Sequence, residues 1–520
     1  MKLYFETSNF PWSPERYHYA AEQMMLTLFP GERPEYPEGP LPKLLSGEDN
    51  AAIFTLHRGK KLTSLSALVF RNQERFGGVR RFPSEALDKS PEEVYHTVQH
   101  ALKLAFYQAG TRLLGTHPPW GALTGVRPVK LPTRALLRGA TPRQAQSELE
   151  KEYFVSPQRA KLAVDCALAS VEAQRSLREG EVSLYIGIPF CPTRCTYCSF
   201  VSADVGRALQ LVEPYVDALL EEVAEGGRVL RELGLSVRSF YMGGGTPTTL
   251  SADQLDRLLS QCEASLPLEN CTEYTVEAGR PDTITREKLE VLARHRTGRI
   301  SINPQTLEDH VLEAIGRRHT SQSIREAYEL ARAVGFDCIN MDLIAGLPQD
   351  SAEGFWRSLE GVLAMEPENV TVHTLARKKG SSLMEGGGPL PSGADTLSML
   401  DFSQKMLITR GYTPYYLYRQ KYMSGSLENV GWSKPGQESL YNIVMMEELH
   451  TVLSLGAGGV TKLIDPAAGR IVRLVNPKFP QDYLSAGDKQ AGQREEIAAF
   501  FLSPAETPSA SSTLFSGGKM

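Results

Sequence analysis

Between residues 183 and 375 six short apolar runs alternate with amphipathic stretches, and no other feature of the chain constrains its fold as much. The runs are SLYIGI, SFYMGG, EYTVEA, RISINP, DCINMDLIAG and NVTVHTL. They are rich in β-branched and aromatic residues and too short for helices. The segments between them place apolar residues at helical spacing, as in SADQLDRLLSQCEAS and SQSIREAYELARAVG. Strands that alternate with helices pair in parallel, because only a long crossover can join parallel neighbours. Six units in series predict a partial (β/α)6 barrel, an α/β architecture, with an open doubly wound sheet as the alternative. Either arrangement puts reactive groups at the carboxyl ends of the strands.

The chain is 520 residues long, more than one core usually holds. Texture divides it into an α+β accessory region over 1–180, the barrel over 181–383, a mixed α/β region over 384–502 and a disordered tail over 503–520. In the first region MKLYFET reads as a strand, AAIFTLHRGKKLTSLSALVF as a hairpin and HTVQHALKLAFYQAGTRLL as a helix, with helical pattern again over 133–178. WGALTGVRPVK is a Gly/Pro turn followed by basic residues, either structural or in contact with an anion. A net charge of −5 argues against a nucleic-acid partner. No run is long and apolar enough to span a membrane, and the N-terminus has no signal-peptide core, so a cytoplasmic location is expected.

The first apolar run leads directly into PFCPTRCTYCSF, where Cys191, Cys195 and Cys198 fall in eight positions. Seven cysteines in this length make no disulfide framework, and clustered thiols in a reducing compartment suit a metal. Zinc wants four ligands and no nearby Cys or His supplies the fourth. A four-iron cluster on three cysteines leaves one iron open to a small molecule. Cys166, Cys262, Cys271 and Cys338 stand alone and read as small hydrophobes. Other strand ends carry GGGTPT, Glu277, Gln305 and, within an apolar run, Asp342. A carboxylate among Met, Leu and Ile needs a partner or a role.

These motifs together resemble the radical S-adenosylmethionine (SAM) enzymes. YIGIPFCPTRCTYC, MGGGTPT, VEAGRPDTIT, RISINPQT and DLIAGLPQD look like the oxygen-independent coproporphyrinogen III oxidases, and the long N-terminal extension looks closest to their HemZ-type coproporphyrinogen dehydrogenase branch. The resemblance covers about residues 180–465. It implies a [4Fe–4S] cluster on Cys191, Cys195 and Cys198 and SAM on its open iron. It implies SAM contacts at Tyr185, Gly244 and Glu277. A second set, Tyr197, Gly245, Thr246, Gln305, Arg317, Asp342 and Ala376, matches positions that hold a second SAM in that family. The implied reaction is oxidative decarboxylation of coproporphyrinogen III propionates to vinyl groups. A tetrapyrrole substrate and an electron-donor protein such as flavodoxin or ferredoxin come with it.

Two departures touch the substrate. The oxidases have a further cysteine where this chain has Phe200, and a histidine in a Y-I-H-I-P pattern where it has Gly187. Phe200 resembles the haem-chaperone branch, yet the H-N-x-x-Y-W haem-binding motif of that branch corresponds here to Tyr441-Asn442-Ile443-Val444-Met445-Met446. A haem-binding protein and another radical reaction on a tetrapyrrole are therefore the rival readings. Arg127, Lys130 and the run Arg377, Lys378 and Lys379 are either substrate contacts or solvated charges. His373 is either a satisfied core histidine or a catalytic one. LGAGG, at 455–459, is either a tight turn or a segment near the active site.

Overall fold

The six apolar runs form six parallel strands: β5 (Glu181–Ile188), β8 (Ser236–Gly244), β9 (Glu273–Glu277), β10 (Arg299–Ser301), β11 (Ile339–Ala345) and β12 (Asn369–Thr374). Their order in space is their order in sequence. That order is the one of a barrel wall, since a doubly wound sheet reverses direction at a switch point. The computed structural model describes residues 1–6, 10–37, 50–198, 203–376, 381, 383, 390–420, 426–466 and 468–502. Phe200, the run Arg377, Lys378 and Lys379, most of the Gly/Pro loop after 383 and the tail 503–520 lie outside the described residues.

Contacts divide the chain into two units, Met1–Val164 with Gly425–Leu427, and Asp165–Ser424 with Glu428–Met520. The first carries β1 (Lys2–Phe5), β2 (Ala51–Arg58), β3 (Leu62–Arg71) and β4 (Glu74–Pro83) in one sheet in that order. The pair β1–β2 is parallel, and the crossover between them carries the helix Glu15–Leu28. β2, β3 and β4 form an antiparallel meander. Its second turn is Asn72-Gln73, both at positive φ, the geometry that suits the twist of a two-residue hairpin. Phe54, Leu56, Leu65, Ala67 and Val69 of the sheet share a buried cluster with Met24, Met25, Leu102, Ala105 and Phe106 of the helices Glu15–Leu28 and Pro91–Leu114. The second helix starts in a capping box, with Ser90 accepting from the Glu93 N–H and the Glu93 carboxylate reaching back.

In the second unit the parallel array sits inside a larger open sheet of eleven strands. β6 (Phe190–Cys191) and β7 (Ala203–Asp204) form a separate two-stranded pair. At one edge β14 (Glu428–Ser433) runs antiparallel to β12 and β13 (Thr413–Arg419) antiparallel to β14. At the other, β15 (Val452–Gly456) lies parallel to β5, followed by β16 (Val460–Asp465) and β17 (Arg470–Val475). Along the barrel strands residues alternate in character as the pleat requires. Leu184, Ile186, Phe240, Met242, Val276, Ile300, Met341, Leu343, Val370 and Val372 form the buried apolar face. The opposite face carries Tyr185, Tyr241, Glu277, Ser301, Asn340, Asp342, Thr371 and His373. A polar inner wall of this kind belongs to a binding cavity rather than a packed core.

Candidate functional site

β5 delivers the cysteines. Beyond Ile188 the chain enters β6, which pairs with β7 and holds Cys191 half-buried beside Thr246, with Sγ 3.6 Å from the hydroxyl. Cys195 is buried, and the Cys198 N–H donates to its carbonyl at 3.2 Å. Arg280 organises this loop. Its guanidinium grips Asp282 through two bonds of 2.9 and 2.7 Å, donates to the Thr193 hydroxyl at 2.8 Å and lies 3.8 Å from the Cys195 sulfur. Burial works to raise the Asp282 carboxyl, yet His319 and Arg280 hold it well below the usual carboxylate range. The sequence reading passed over Arg280, although it stands in VEAGRPD three residues after Glu277.

The glycines of GGGTPT exist for close approach. The Gly245 and Thr246 N–H groups donate to the Ile188 and Phe190 carbonyls, each at 2.7 Å, which ties this turn to the cysteine loop. A Cβ on Gly245 would sit 2.4 Å from the Phe190 oxygen, and one on Gly243 2.9 Å from the Glu277 carboxylate. Gly244 takes φ +114°, in the region that favours glycine.

Glu277 accepts a 2.5 Å bond from the Tyr241 hydroxyl. Burial, reinforced by the Asp342 charge, pushes its carboxyl up to about 7 against the bonds from Tyr241 and Gly244. Tyr241 stacks on Tyr441 at 4.5 Å, and Tyr185 lies 6.3 Å from each of them, with all three rings nearly parallel. The helix Leu440–Glu447 that carries Tyr441 is fixed to β9, since Glu273 accepts from Ser439 and from the Leu440 and Tyr441 N–H groups. Tyr185, Gly244 and Glu277 thus meet around Tyr241, a residue the sequence reading did not single out.

The second set of expected contacts lies along the adjoining strands. Gln305 follows β10 at φ +67°, unusual for a residue with a Cβ. Its backbone is held by the Asp342 carbonyl at 2.8 Å and the Ile344 N–H at 3.0 Å, while its buried side-chain oxygen has no partner. The buried Arg317 donates to the Asn303 carbonyl at 2.6 Å and to the Tyr197 hydroxyl at 3.3 Å. Burial opposes its charge, but Tyr197 and Cys195 keep the guanidinium above its ordinary range. Asp342 accepts from Asn340 at 2.8 Å and faces His373 at 3.6 Å. Burial raises its carboxyl most strongly, but His373, Asn340 and Thr371 together outweigh it and the net displacement is downward. Thr246 is buried by Cys191, and Ala376 stands half-buried just beyond β12.

The remaining thiols differ from the triplet. Burial pushes Cys166 and Cys262 well up, and Cys338 and Cys271 up to about 11. Cys271 is half-buried, with its sulfur on the Glu273 carbonyl. Among the described residues no three His, Cys, Asp or Glu side chains converge as one metal ion would require. Three thiolates that each take a different iron need no such convergence.

Residues 185–361 match the family described as the Radical SAM superfamily. The oxygen-independent coproporphyrinogen-III oxidase-like protein HemZ of Bacillus subtilis is 41% identical over 402 residues, spanning 76% of this chain and 80% of that protein. The heme chaperone HemW of Lactococcus lactis is 33% identical over 319 residues, 61% of this chain and 77% of the chaperone. Among solved structures, coproporphyrinogen III oxidase (HemN) of Escherichia coli superposes with a TM-score of 0.49 at 22% identity, over 64% of this chain and 78% of that one. The chain belongs to the radical SAM superfamily and, within it, to the oxygen-independent coproporphyrinogen III oxidase-like family. That family works with a [4Fe–4S] cluster and SAM. The residues present fit both. Three cysteines share one loop, a glycine turn packs directly against it, and the buried oxygens of Asn303 and Gln305 lack donors that a SAM amine, adenine amine or ribose hydroxyl can supply. No described helix is long and apolar enough to cross a membrane.

Proposed function

We propose that this chain catalyses oxidative decarboxylation of coproporphyrinogen III propionates to vinyl groups, forming protoporphyrinogen IX in anaerobic haem biosynthesis. Position 441 carries the reading. Where the chaperone branch has its haem-binding histidine, Tyr441 is 4% exposed and stacked on Tyr241. A residue buried in this way builds the floor of the cofactor site and is not offered to haem iron.

Cys191, Cys195 and Cys198 would hold three irons, with the fourth left for the amino and carboxylate groups of SAM. When bound, and given an electron from a reductant and an acceptor for the electron released, these cofactors would supply hydrogen-atom abstraction at the propionate β-carbon, the chemistry from which loss of CO2 and one electron leaves a vinyl group. The protein's part is ligation, position and dryness. Arg280 steadies the cysteine loop through Thr193. Glu277 would accept from an N–H of the SAM amine, with Tyr241 fixing the carboxylate. The glycine turn lets the backbone approach the nucleoside. Tyr185, Tyr241 and Tyr441 close the floor against water. Gln305, Arg317 and Asp342 line the far wall, where the second SAM contacts of the oxidases fall. An electron donor of the flavodoxin or ferredoxin kind, the reducing cytoplasm and an accessory role for residues 1–180 complete the proposal.

The 33% identity with a heme chaperone favours a second reading, a haem carrier that keeps the cluster for regulation. One anaerobic turnover separates the two. The reconstituted chain is given SAM, a reductant and coproporphyrinogen III, and products are followed by chromatography and mass. Two successive losses of CO2 with two hydrogens each, matched by 5′-deoxyadenosine, are expected. A stable haem Soret complex with no decarboxylated product sinks the oxidase reading.

A further inference from the structure

Position 187 raises a problem that the rest of the barrel answers. The oxidases that this chain resembles place a histidine there, but the backbone of β15 closes the site here. An added Cβ would lie 2.3 Å from the Ala457 carbonyl oxygen. The Tyr215 hydroxyl locks the arrangement, donating to the Gly187 carbonyl at 2.6 Å and accepting from the Ala457 N–H at 2.8 Å. No side chain can enter the mouth from this position. Ionised propionates nevertheless need polar partners once they leave water.

Across the mouth, at the end of β12, stands an imidazole. His373 Nε2 lies 3.6 Å from Asp342 Oδ2. The carboxylate is itself fixed, because Asn340 donates to it at 2.8 Å and Thr371 donates to Asn340 at 3.2 Å. A carboxylate held from behind sets the orientation of the ring it faces and leaves the second ring nitrogen for another partner. Both side chains remain open on the inner wall, His373 27% and Asp342 18% exposed, while their neighbours Val372 and Leu343 are buried. A satisfied core histidine would be enclosed.

We propose that His373, oriented by Asp342, takes a propionate carboxylate of the tetrapyrrole, so that the end of the sixth strand supplies the group lost from the end of the first. Asp342 and the propionate would then flank one imidazolium from opposite sides, Nε2 donating to Asp342 and the other ring nitrogen to the propionate, since a neutral ring has a single N–H to give. The inference rests on the tetrapyrrole reading above and deepens it.

The test is ligand binding by the full chain with its cluster reconstituted. Two probes, coproporphyrin III and its tetramethyl ester, are titrated by fluorescence quenching against wild type, His373→Ala and His373→Gln. Wild type is expected to prefer the free acid. His373→Ala should lose roughly tenfold for the acid, the effect of one hydrogen bond to a charged group, and nothing for the ester. His373→Gln keeps a donor and should recover part of the loss. It also decides the matter if the alanine variant melts early. Equal binding of the acid by wild type and both variants overturns the role of His373 and leaves the tetrapyrrole reading standing. Equal loss for acid and ester overturns it too, since that is a packing defect. Wild type that binds neither probe overturns the tetrapyrrole reading, and this proposal with it.

Discussion

The two halves of the barrel mouth are built by opposite means. At the ends of β5, β8 and β15 the chain withholds side chains, with Gly187 against Ala457, Gly245 against Phe190, Gly243 against Glu277 and Gly456 against the Gly187 carbonyl. At the ends of β10, β11 and β12 it supplies them, in Asn303, Gln305, Asp342 and His373. Apart from Gly243, which meets the Glu277 and Tyr241 side chains, the first half is fixed by backbone contacts that have no room to give. In the second, Asp342 and His373 face each other and the Asn303 and Gln305 side-chain oxygens stand without donors, an arrangement that depends on charge and polarity more than on shape. Steric substitutions should therefore damage the first half most, and isosteric changes of charge the second.

The largest effect is expected from Gly187→His, which restores the residue found in the oxidases. The new Cβ would meet a backbone oxygen, and a backbone cannot rotate away as a side chain can. Overpacking of this kind costs about 1–3 kcal/mol or more. The displacement would also break the Tyr215 bridge and pull on Gly456, whose N–H donates to the buried Glu222 at 2.6 Å. Loss of thermal stability and of bound iron is predicted, with no gain in vinyl formation. A variant that melts with wild type and works faster would show that the glycine half has room to spare.

A smaller effect, of sign set by pH, is expected at Glu277, where the two halves meet. Its carboxyl is raised from 4.5 to about 7 in the free protein, by burial first and by the Asp342 charge. A raised carboxyl stabilises the fold below its unfolded value, and that contribution is lost as pH climbs through the folded one. The pull of a bound SAM amine is opposite, because its N–H groups favour the ionised carboxylate. SAM affinity should therefore weaken as pH falls below about 7 and approach roughly tenfold per unit. Glu277→Gln should remove this dependence and cost about 1.5–3 kcal/mol of binding above it. Calorimetric titration of SAM at several pH values reads both. A flat profile in wild type would mean that SAM does not rest on Glu277.

Legibility in the sequence followed the same division. The six barrel strands were readable because each is a short apolar run rich in β-branched and aromatic residues between helical stretches, and the glycine turn and cysteines because their signals are local. β4 went unread. Its apolar pattern is interrupted by Gly77 and Gly78, and Gly78 is there because the helix Pro91–Leu114 comes so close that a Cβ would meet the Ala105 carbonyl at 2.1 Å. The helix Glu15–Leu28 went unread although Ser13-Pro14-Glu15 stands at its start, and no side-chain bond caps it at Pro14. Gly187 read as a lost histidine, and only the pairing of β5 with β15 explains it. That contact joins residues far apart in the chain, where no periodicity could register it. Arg280 and Tyr241 were hidden for the same reason, each being defined by what it touches across strands.

The smallest effect should run the other way and raise stability. Gln305 holds a left-handed backbone, φ +67°, between the Asp342 carbonyl and the Ile344 N–H. For a residue with a Cβ this conformation costs about 1–2 kcal/mol, and glycine avoids it. Glycine gives back about 0.5–1 kcal/mol through the freedom of the unfolded chain. Removal of the side chain also removes a buried oxygen without a partner, which relieves a further cost of about 1–3 kcal/mol but forfeits apolar contact. The balance predicts Gln305→Gly to be more stable than wild type by about 1 kcal/mol, a rise of about 2 °C in melting temperature. If the strained oxygen waits for a ligand, the same variant should bind SAM more weakly, so that stability and affinity move in opposite directions. Wild-type affinity with raised stability would mark Gln305 as strain without a purpose. Lowered stability would mean that its side chain, like the glycines across the mouth, is held by the space around it.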